Sequence, residues 1–160
     1  MHGRVLMLMM ATGLAVTARA ADAPHDWVGV GVNQNNDAMT FVDAPAITRR
    51  ADGIVMLRQA MVPLNPPDGM TAAITATVEA DCDKRQMRRV DIQGWRIDGT
   101  LIAGGKIDGK WEVANPGSVG AAILDFACAP PENRKPERFP RSSDPVPTAT
   151  ARGIMTKSAT

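Results

Sequence analysis

The sequence predicts an α+β protein that is mostly antiparallel β, built as a meander of strands with one short helix near its C-terminal end. Two observations predict the strands. Apolar residues recur with a period of two through much of the chain, and Asp-Gly pairs separate several of the periodic stretches. One late stretch instead carries apolar residues at helical spacing, and this third observation predicts the helix.

The clearest strand runs from Thr71 to Cys82, where every second residue is apolar. The intervening positions include Glu79 and Asp81, so the pattern predicts a half-buried strand with these two acids on its exposed face. The other predicted strands are Trp27–Asn33, Met39–Val42, Ala46–Arg50, Ile54–Val62, Arg88–Ile97, Thr100–Lys106 and Lys110–Val113.

Three Asp-Gly pairs, at residues 52–53, 98–99 and 108–109, lie between predicted strands. Glycine accepts a positive φ and aspartate tolerates it, so each pair predicts a hairpin turn. Strands joined by tight turns favour an antiparallel meander over a parallel sheet.

The predicted helix covers Val119–Cys128, where apolar residues repeat at helical spacing and Asp125 points away from them. The apolar residues are Val119, Ala122, Ile123 and Phe126. Ser118 precedes the helix and is a typical N-cap residue. A helix of about ten residues is too short to persist alone in water, so it must be held by the rest of the protein.

The first 20 residues have the order of a secretory signal peptide. A short basic head precedes the apolar run Val5–Val16, and residues 18–20, Ala-Arg-Ala, form a small-x-small cleavage site. The run is shorter than the roughly 20 apolar residues of a membrane span. We therefore expect cleavage after Ala20, no membrane span in the mature chain, and a location in the periplasm or at the cell surface.

Cys82 and Cys128 are the two cysteines of the chain. In an exported protein such a pair is expected to form a disulfide. The bond would close a loop of about 46 residues and contribute about 4 kcal/mol in the chain-entropy model. It would also clamp the end of the predicted helix.

Composition divides the mature chain into a domain at residues 21–129 and a tail at residues 130–160. The tail contains six prolines and little apolar surface, so the sequence predicts that it is disordered. Removing residues 1–20 takes away two arginines and no acid, which changes the net charge from +1 to −1. Because nucleic-acid binding needs a strongly basic face, this balance excludes it as an expected function.

Several residues in a fixed order resemble a known family. They are Trp27, Thr40-Phe41-Val42-Asp43, Ile47, Arg49, Asp81-Cys82 with basic residues after it, Trp111, and Pro116-Gly117-Ser118 leading to Cys128. Over roughly Asp26 to Cys128, the chain resembles the surface-adhesin protein E-like domain of Gram-negative bacteria.

The resemblance implies a curved antiparallel sheet whose C-terminal helix is tethered by a disulfide, which here would join Cys82 to Cys128. It also implies an adhesin that binds host extracellular-matrix and serum proteins. No cysteine lies near the predicted cleavage site, so the lipid anchor of such an adhesin is not expected here.

The sequence predicts no enzyme and no cofactor. His25 is the one histidine of the mature chain and precedes the first strand, where a loosely held ring would be a poor general base. Glu79, Asp81 and Asp83 suggest a calcium site. A single strand does not wrap oxygens around an ion, however, and basic residues follow directly, so solvated ion pairs are expected instead.

Three residues are candidates for contact with a partner. Arg85 and Arg89 belong to a basic cluster, and they would grip a carboxylate together if they shared a face. Trp95 follows Gly94 at a point where the apolar period slips, as at a β-bulge, so partial exposure of its ring is expected.

The sequence therefore predicts an exported, non-enzymatic, adhesin-like binding module that recognises a protein partner, either a host matrix protein or an envelope component. The alternative is a periplasmic structural or accessory envelope protein with no adhesive role. Unpaired sheet edges would also allow a homodimer.

Overall fold

The computed structural model describes residues 24–33, 35, 37–63, 65, 71–134 and 141–157. The predicted signal peptide lies outside these residues. The strands are β1 (Trp27–Val32), β2 (Ala38–Asp43), β3 (Thr48–Arg49), β4 (Val55–Pro63), β5 (Ala73–Asp81), β6 (Gln86–Trp95), β7 (Leu101–Lys106), β8 (Glu112–Val113) and β9 (Arg141–Ser142). The helices are α1 (Val119–Cys128) and α2 (Thr148–Lys157).

The nine described strands form one antiparallel sheet in the order β7-β6-β5-β4-β2-β1-β9, with β3 paired to β4 and β8 paired to β6. The predicted meander is therefore confirmed. Gly53 and Gly99 have φ values of +84° and +82°, as hairpin turns at two of the three Asp-Gly pairs require.

The third Asp-Gly pair does not form a hairpin. The strand that follows it, β8, pairs with β6 through Gln86 opposite Val113, rather than with β7. The backbone at Gly109 lies so close to β6 that a Cβ would stand 2.1 Å from the carbonyl oxygen of Arg89. Glycine is therefore needed at this position for close approach rather than for a turn.

Both faces of the sheet are covered where its core lies. Val55 and Leu57 of β4 pack with Ile123 and Leu124 of α1 on one side, which we call the first face. Ala60 and Val62 have the opposite parity in the same strand, so their side chains point to the second face, where they pack with Val146 and Ala151.

The helix α1 begins and ends where the sequence predicts. The Ser118 hydroxyl accepts a hydrogen bond of 3.1 Å from the Ala121 amide, which confirms the N-cap. Asp125 is exposed, as expected. The fully buried positions are Ala121, Ile123, Leu124 and Ala127. Ile123 of the predicted face is therefore buried, while Val119 and Phe126 are partly buried against the same cluster.

The disulfide between Cys82 and Cys128 is confirmed. It joins the residue that follows β5 to the last residue of α1 across a Cα–Cα distance of 5.8 Å. Arg134 binds the same end of the helix, since its Nε donates to the Ala129 carbonyl at 3.1 Å and its Nη2 to the Ala127 carbonyl at 3.3 Å. Burial lowers the pKa of Arg134 from its ordinary value.

The prediction of a disordered tail is wrong for its described part, residues 130–134 and 141–157. These residues include β9, which pairs with β1, and α2, whose Ala151 is fully buried. The segment contains Val146, Ala151 and Ile154, which pack against the second face. Composition alone did not reveal that these few apolar residues meet an existing apolar surface.

Candidate partner-binding surface

The exposed large hydrophobic side chains of the described residues all lie between Ile97 and Val113. They are Ile97, Leu101, Ile102, Ile107, Trp111 and Val113, which we call the edge surface. Large exposed apolar side chains concentrated in one stretch of the chain are candidates for contact with a partner.

The edge surface is exposed because of the position of β7 in the sheet. β7 is the terminal strand on this side and pairs only with β6, and all six of its residues are exposed. Its outer backbone groups therefore have no neighbouring strand among the described residues, which leaves an edge able to accept another strand.

A shallow apolar recess of about 330 Å³ lies beside this edge, lined by Thr71, Ile74, Ile92, Gly94, Ile102, Ala103 and Gly104. Gly94 lies opposite both Ile74 of β5 and Ala103 of β7, so these positions share the first face. The lining carries no charged side chain, so the recess suits an apolar side chain of a partner.

Trp111 is braced at the border of the edge surface. The guanidinium of Arg88 lies 5.0 Å from the centre of its ring, and Trp111 is 37% exposed. Arg88 is itself fixed by Glu79, because its Nε donates to Glu79 Oε2 at 2.7 Å. A large ring held in one orientation and open to solvent has the character of an interface anchor.

Glu79 is buried, contrary to the prediction that it lies on an exposed face. It is 8% exposed and accepts hydrogen bonds from Arg50 at 2.8 Å and from Arg88 at 2.7 Å. Two guanidinium groups replace the water that the carboxylate loses, which is how a charge is buried at low cost. Local ion pairing, which the sequence did predict, holds for Asp81, since its hydrogen bond from Lys84 lowers the pKa of the Asp81 carboxyl.

Arg85 and Arg89, the predicted carboxylate pair, have separate surroundings. Arg85 lies in the turn between β5 and β6 with a φ of 51°, and its Nη1 forms an ion pair of 2.9 Å with Asp125 of α1. Arg89 lies in β6, where it lines a recess of about 180 Å³ with Lys110 and Glu112 among its neighbours. The joint grip on a carboxylate therefore stays a prediction without support from their contacts.

Trp95 lies at a break in register between β6 and β7, where the sequence predicts a bulge. Its ring is partly buried, and its indole nitrogen donates to Thr75 Oγ1 at 2.8 Å. It packs against the apolar cluster of the second face, so Trp111 rather than Trp95 is the more available tryptophan.

Sequence reasoning missed the edge surface. Leu101 and Ile102 are adjacent in one strand, so their side chains point to opposite faces and both can be buried only in a strand covered on two sides. Two adjacent large apolar residues in a predicted strand were therefore the sequence signal for an exposed apolar side chain. Only the tertiary structure shows that neither side of β7 is covered.

His25 is held more firmly than the sequence suggests. Its Nδ1 lies 2.7 Å from Asp43 Oδ2, and its ring stacks on Trp27 with a centroid distance of 5.5 Å. Among the described residues, the ring contacts the Asp43 carboxylate and the Trp27 indole. The described residues also contain no group of three or more His, Cys, Asp or Glu side chains arranged to hold a metal ion.

None of the helices in the described part of the chain has the length and apolar character needed to cross a membrane.

The family model described as surface-adhesin protein E matches residues 27–129, which is more than half of the chain. Among solved structures, the chain is similar to the crystal structure of protein E from non-typeable Haemophilus influenzae. That similarity has 10% sequence identity, covers 96% of this chain and 97% of the other, and has a TM-score of 0.46. No curated protein matches the chain.

Proposed function

The chain belongs to the surface-adhesin protein E family, and on that premise we propose that it is an exported, adhesin-like binding module that recognises a protein partner at the cell envelope or surface. The observation that carries the proposal is the edge surface. All exposed large hydrophobic side chains of the described residues gather there, at the one end of the sheet that ends in a fully exposed strand.

The chemistry of this surface defines the partner. An extended segment can add to β7 through backbone hydrogen bonds, while side chains on alternate positions meet the apolar recess. Trp111, steadied by Arg88, supplies an aromatic contact at the border. The partner is therefore a protein with an exposed apolar strand, such as a host matrix protein or another envelope component.

The module works without catalysis. His25, the one histidine of the predicted mature chain, is engaged with Asp43 and Trp27. This role agrees with the family, whose name describes adhesion. It needs neither a cofactor nor a metal ion.

The location can be tested by protease treatment of intact cells and of cells with a permeabilised outer membrane. The signal peptide predicted at residues 1–20 supports export. Digestion on intact cells is the expected result for an adhesin. Protection until permeabilisation would contradict surface adhesion and leave a periplasmic accessory role.

Binding can be tested with variants of the edge surface. We expect Leu101→Lys and Ile102→Lys to reduce binding of the purified protein to immobilised basement-membrane extract by about tenfold or more, as is typical of charges placed at an interface centre. Asn133→Lys adds the same charge at an exposed site outside the edge surface and should bind as the wild type does. Equal binding by all four proteins would overturn the assignment of this surface.

A further inference from the structure

The second face of the sheet carries an apolar surface, which we call the groove, and the C-terminal segment covers it. Its lining residues, all fully buried in the structure, are Trp27, Met39, Phe41, Ala60, Val62 and Ala73. Every one of these residues lies within the range matched by the family model, residues 27–129. The segment at residues 141–157, which fills the groove, lies outside that range.

The chain binds this segment as proteins bind a peptide. Residues 141–142 add to the free side of β1 as an antiparallel strand, with Ser142 opposite Trp27. The indole nitrogen of Trp27 then donates to the backbone carbonyl of Asp144 at 2.9 Å. Strand addition followed by an indole bond to the main chain recognises a backbone rather than one particular side chain.

After these contacts, the segment turns into the groove. Val146 and Ala151 are buried in the cluster and Ile154 is partly buried against it, so a short helix presents its apolar side to the sheet. At the rim, Arg141 lies 3.4 Å from Asp26, and both side chains are partly exposed. The groove thus combines two known modes of peptide recognition, an added strand and an amphipathic helix.

The segment is a terminal element that follows the domain in sequence. Residues 130–140 lie between α1 and β9 in the sequence and contain four prolines. The exchange of an identical terminal element between copies is a low-cost route to a dimer. A second copy of the chain necessarily carries a segment that fits the groove.

We propose that the groove is a peptide-binding site that accepts residues 141–157 from a second copy of this chain as well as from its own. In this arrangement, the two copies exchange their C-terminal segments and each groove is filled by the other chain. The proposal concerns the second face and does not depend on partner binding at the edge surface.

The first test uses a fluorescein-labelled synthetic peptide of residues 141–157 and the full-length protein. In the wild type, the protein's own segment competes with the peptide for the groove. The peptide binds only the molecules whose groove is open, so its apparent affinity equals the intrinsic affinity multiplied by the fraction of open molecules. Ala151→Asp in the full-length protein weakens its own segment, and we expect this variant to bind the wild-type peptide about tenfold or more tightly than the wild-type protein does. A peptide carrying the same substitution is the control and should not bind.

A second variant tests the same proposal without changing a buried residue, in case Ala151→Asp does not fold. Arg141→Glu changes the exposed rim pair with Asp26 into a repulsion and leaves the buried residues unchanged. It should also bind the wild-type peptide more tightly than the wild type does. If neither variant binds the peptide while both still unfold in one cooperative transition, the groove is not a peptide-binding site and the proposal is wrong.

The second test follows the full-length wild type by native mass spectrometry after incubation at high protein concentration. Exchange predicts dimers that form slowly, persist on dilution and mix between isotope-labelled and unlabelled chains. Ala151→Asp should abolish them. A dimer that is unchanged by Ala151→Asp would arise from another surface, and a wild type that stays monomeric at every concentration would also overturn the exchange.

Discussion

The indole nitrogen of Trp27 donates a hydrogen bond of 2.9 Å to the backbone carbonyl oxygen of Asp144, 117 residues further along the chain. This bond joins the first strand of the sheet to a segment that its composition marks as unable to fold. The order of that segment therefore depends on a surface built by the other end of the chain.

Trp27→Phe tests this bond. The substitution keeps an aromatic ring on the second face but removes the donor to Asp144. We expect a loss of at least about 1 kcal/mol in the free energy of unfolding for the lost hydrogen bond, and more because the smaller ring leaves a cavity. Trp111→Phe removes the same donor from a partly exposed ring and should change stability little. Similar urea midpoints for the two variants would contradict this role of Trp27.

The disulfide is expected to supply a large part of the stability. Cys128→Ser removes the link across a sequence separation of 46 residues. The chain-entropy model gives a loss of about 4 kcal/mol, which corresponds to a fall of at least about 10 °C in Tm for a domain of this size. The measurement is thermal unfolding followed by circular dichroism. Reducing the wild type with dithiothreitol should reproduce the change, and the double variant Cys82→Ser/Cys128→Ser should show no further loss.

Glu79 and Asp52 both form ion pairs with Arg50, but Glu79 is buried and Asp52 is exposed. Substituting each acid in turn therefore compares a buried and an exposed ion pair of the same arginine. Glu79 is 11% exposed at its side chain, whereas Asp52 is 48% exposed. Glu79→Gln leaves two guanidinium groups without their shared carboxylate, and we expect it to cost about 1.5–3 kcal/mol. Asp52→Asn should cost less than about 1 kcal/mol, because solvent screens an exposed pair. Chemical denaturation of both variants gives the comparison, and equal losses would show that burial does not distinguish the two acids.

The turn between β6 and β7 should be sensitive to acid. The hydroxyl and the amide of Thr100 both donate to Asp98, and these hydrogen bonds lower the pKa of the Asp98 carboxyl from its ordinary value of 3.8. A folded-state pKa below the unfolded one gives stabilisation that is complete above pH 3.8 and is lost as the pH falls through the lower folded value.

Thr100→Val removes the larger of these contributions and keeps the backbone. We expect the pKa of Asp98 in the variant to rise toward the ordinary value, as measured by carbon-13 NMR titration of its carboxyl group. The variant should also lose less stability than the wild type between about pH 5 and about pH 2. An unchanged titration of Asp98 would show that the hydroxyl does not hold the carboxylate.

The elements that could be predicted from the sequence are those fixed by neighbouring residues. Period-two alternation in β5, the two Asp-Gly hairpins and the Ser118 cap are each decided within a few residues, and the structure contains all of them. The cysteine pair could also be predicted, because the sequence predicts export and two cysteines have only one possible partner each.

The pairing of β8 could not be predicted in this way. The strand lies three residues after an Asp-Gly pair, and local sequence favours a hairpin with β7. Its actual partner is the start of β6, where Gln86 lies opposite Val113. Local signals define a turn, but they do not show which stretch of backbone is free to accept the next strand.

The residues of the candidate site were also only partly predictable from the sequence. The sequence indicated Arg85, Arg89 and Trp95 because their residue types suit recognition, yet Arg85 is engaged by Asp125 and Trp95 packs toward the second face. The edge surface is exposed because β7 is the last strand of the sheet, and the sequence does not show this position. Exposure depends on which elements cover a strand, and that is a property of the whole fold.

The sequence by itself determined the antiparallel meander, the capped helix and the disulfide, because alternation, turn chemistry and cysteine chemistry act over short distances or through one possible partner. Only the tertiary structure decided that Glu79 is buried between two arginines, that β7 is left uncovered, and that residues 141–157 fold onto the second face. Each of these outcomes depends on burial, and burial is set by contacts between residues far apart in the chain.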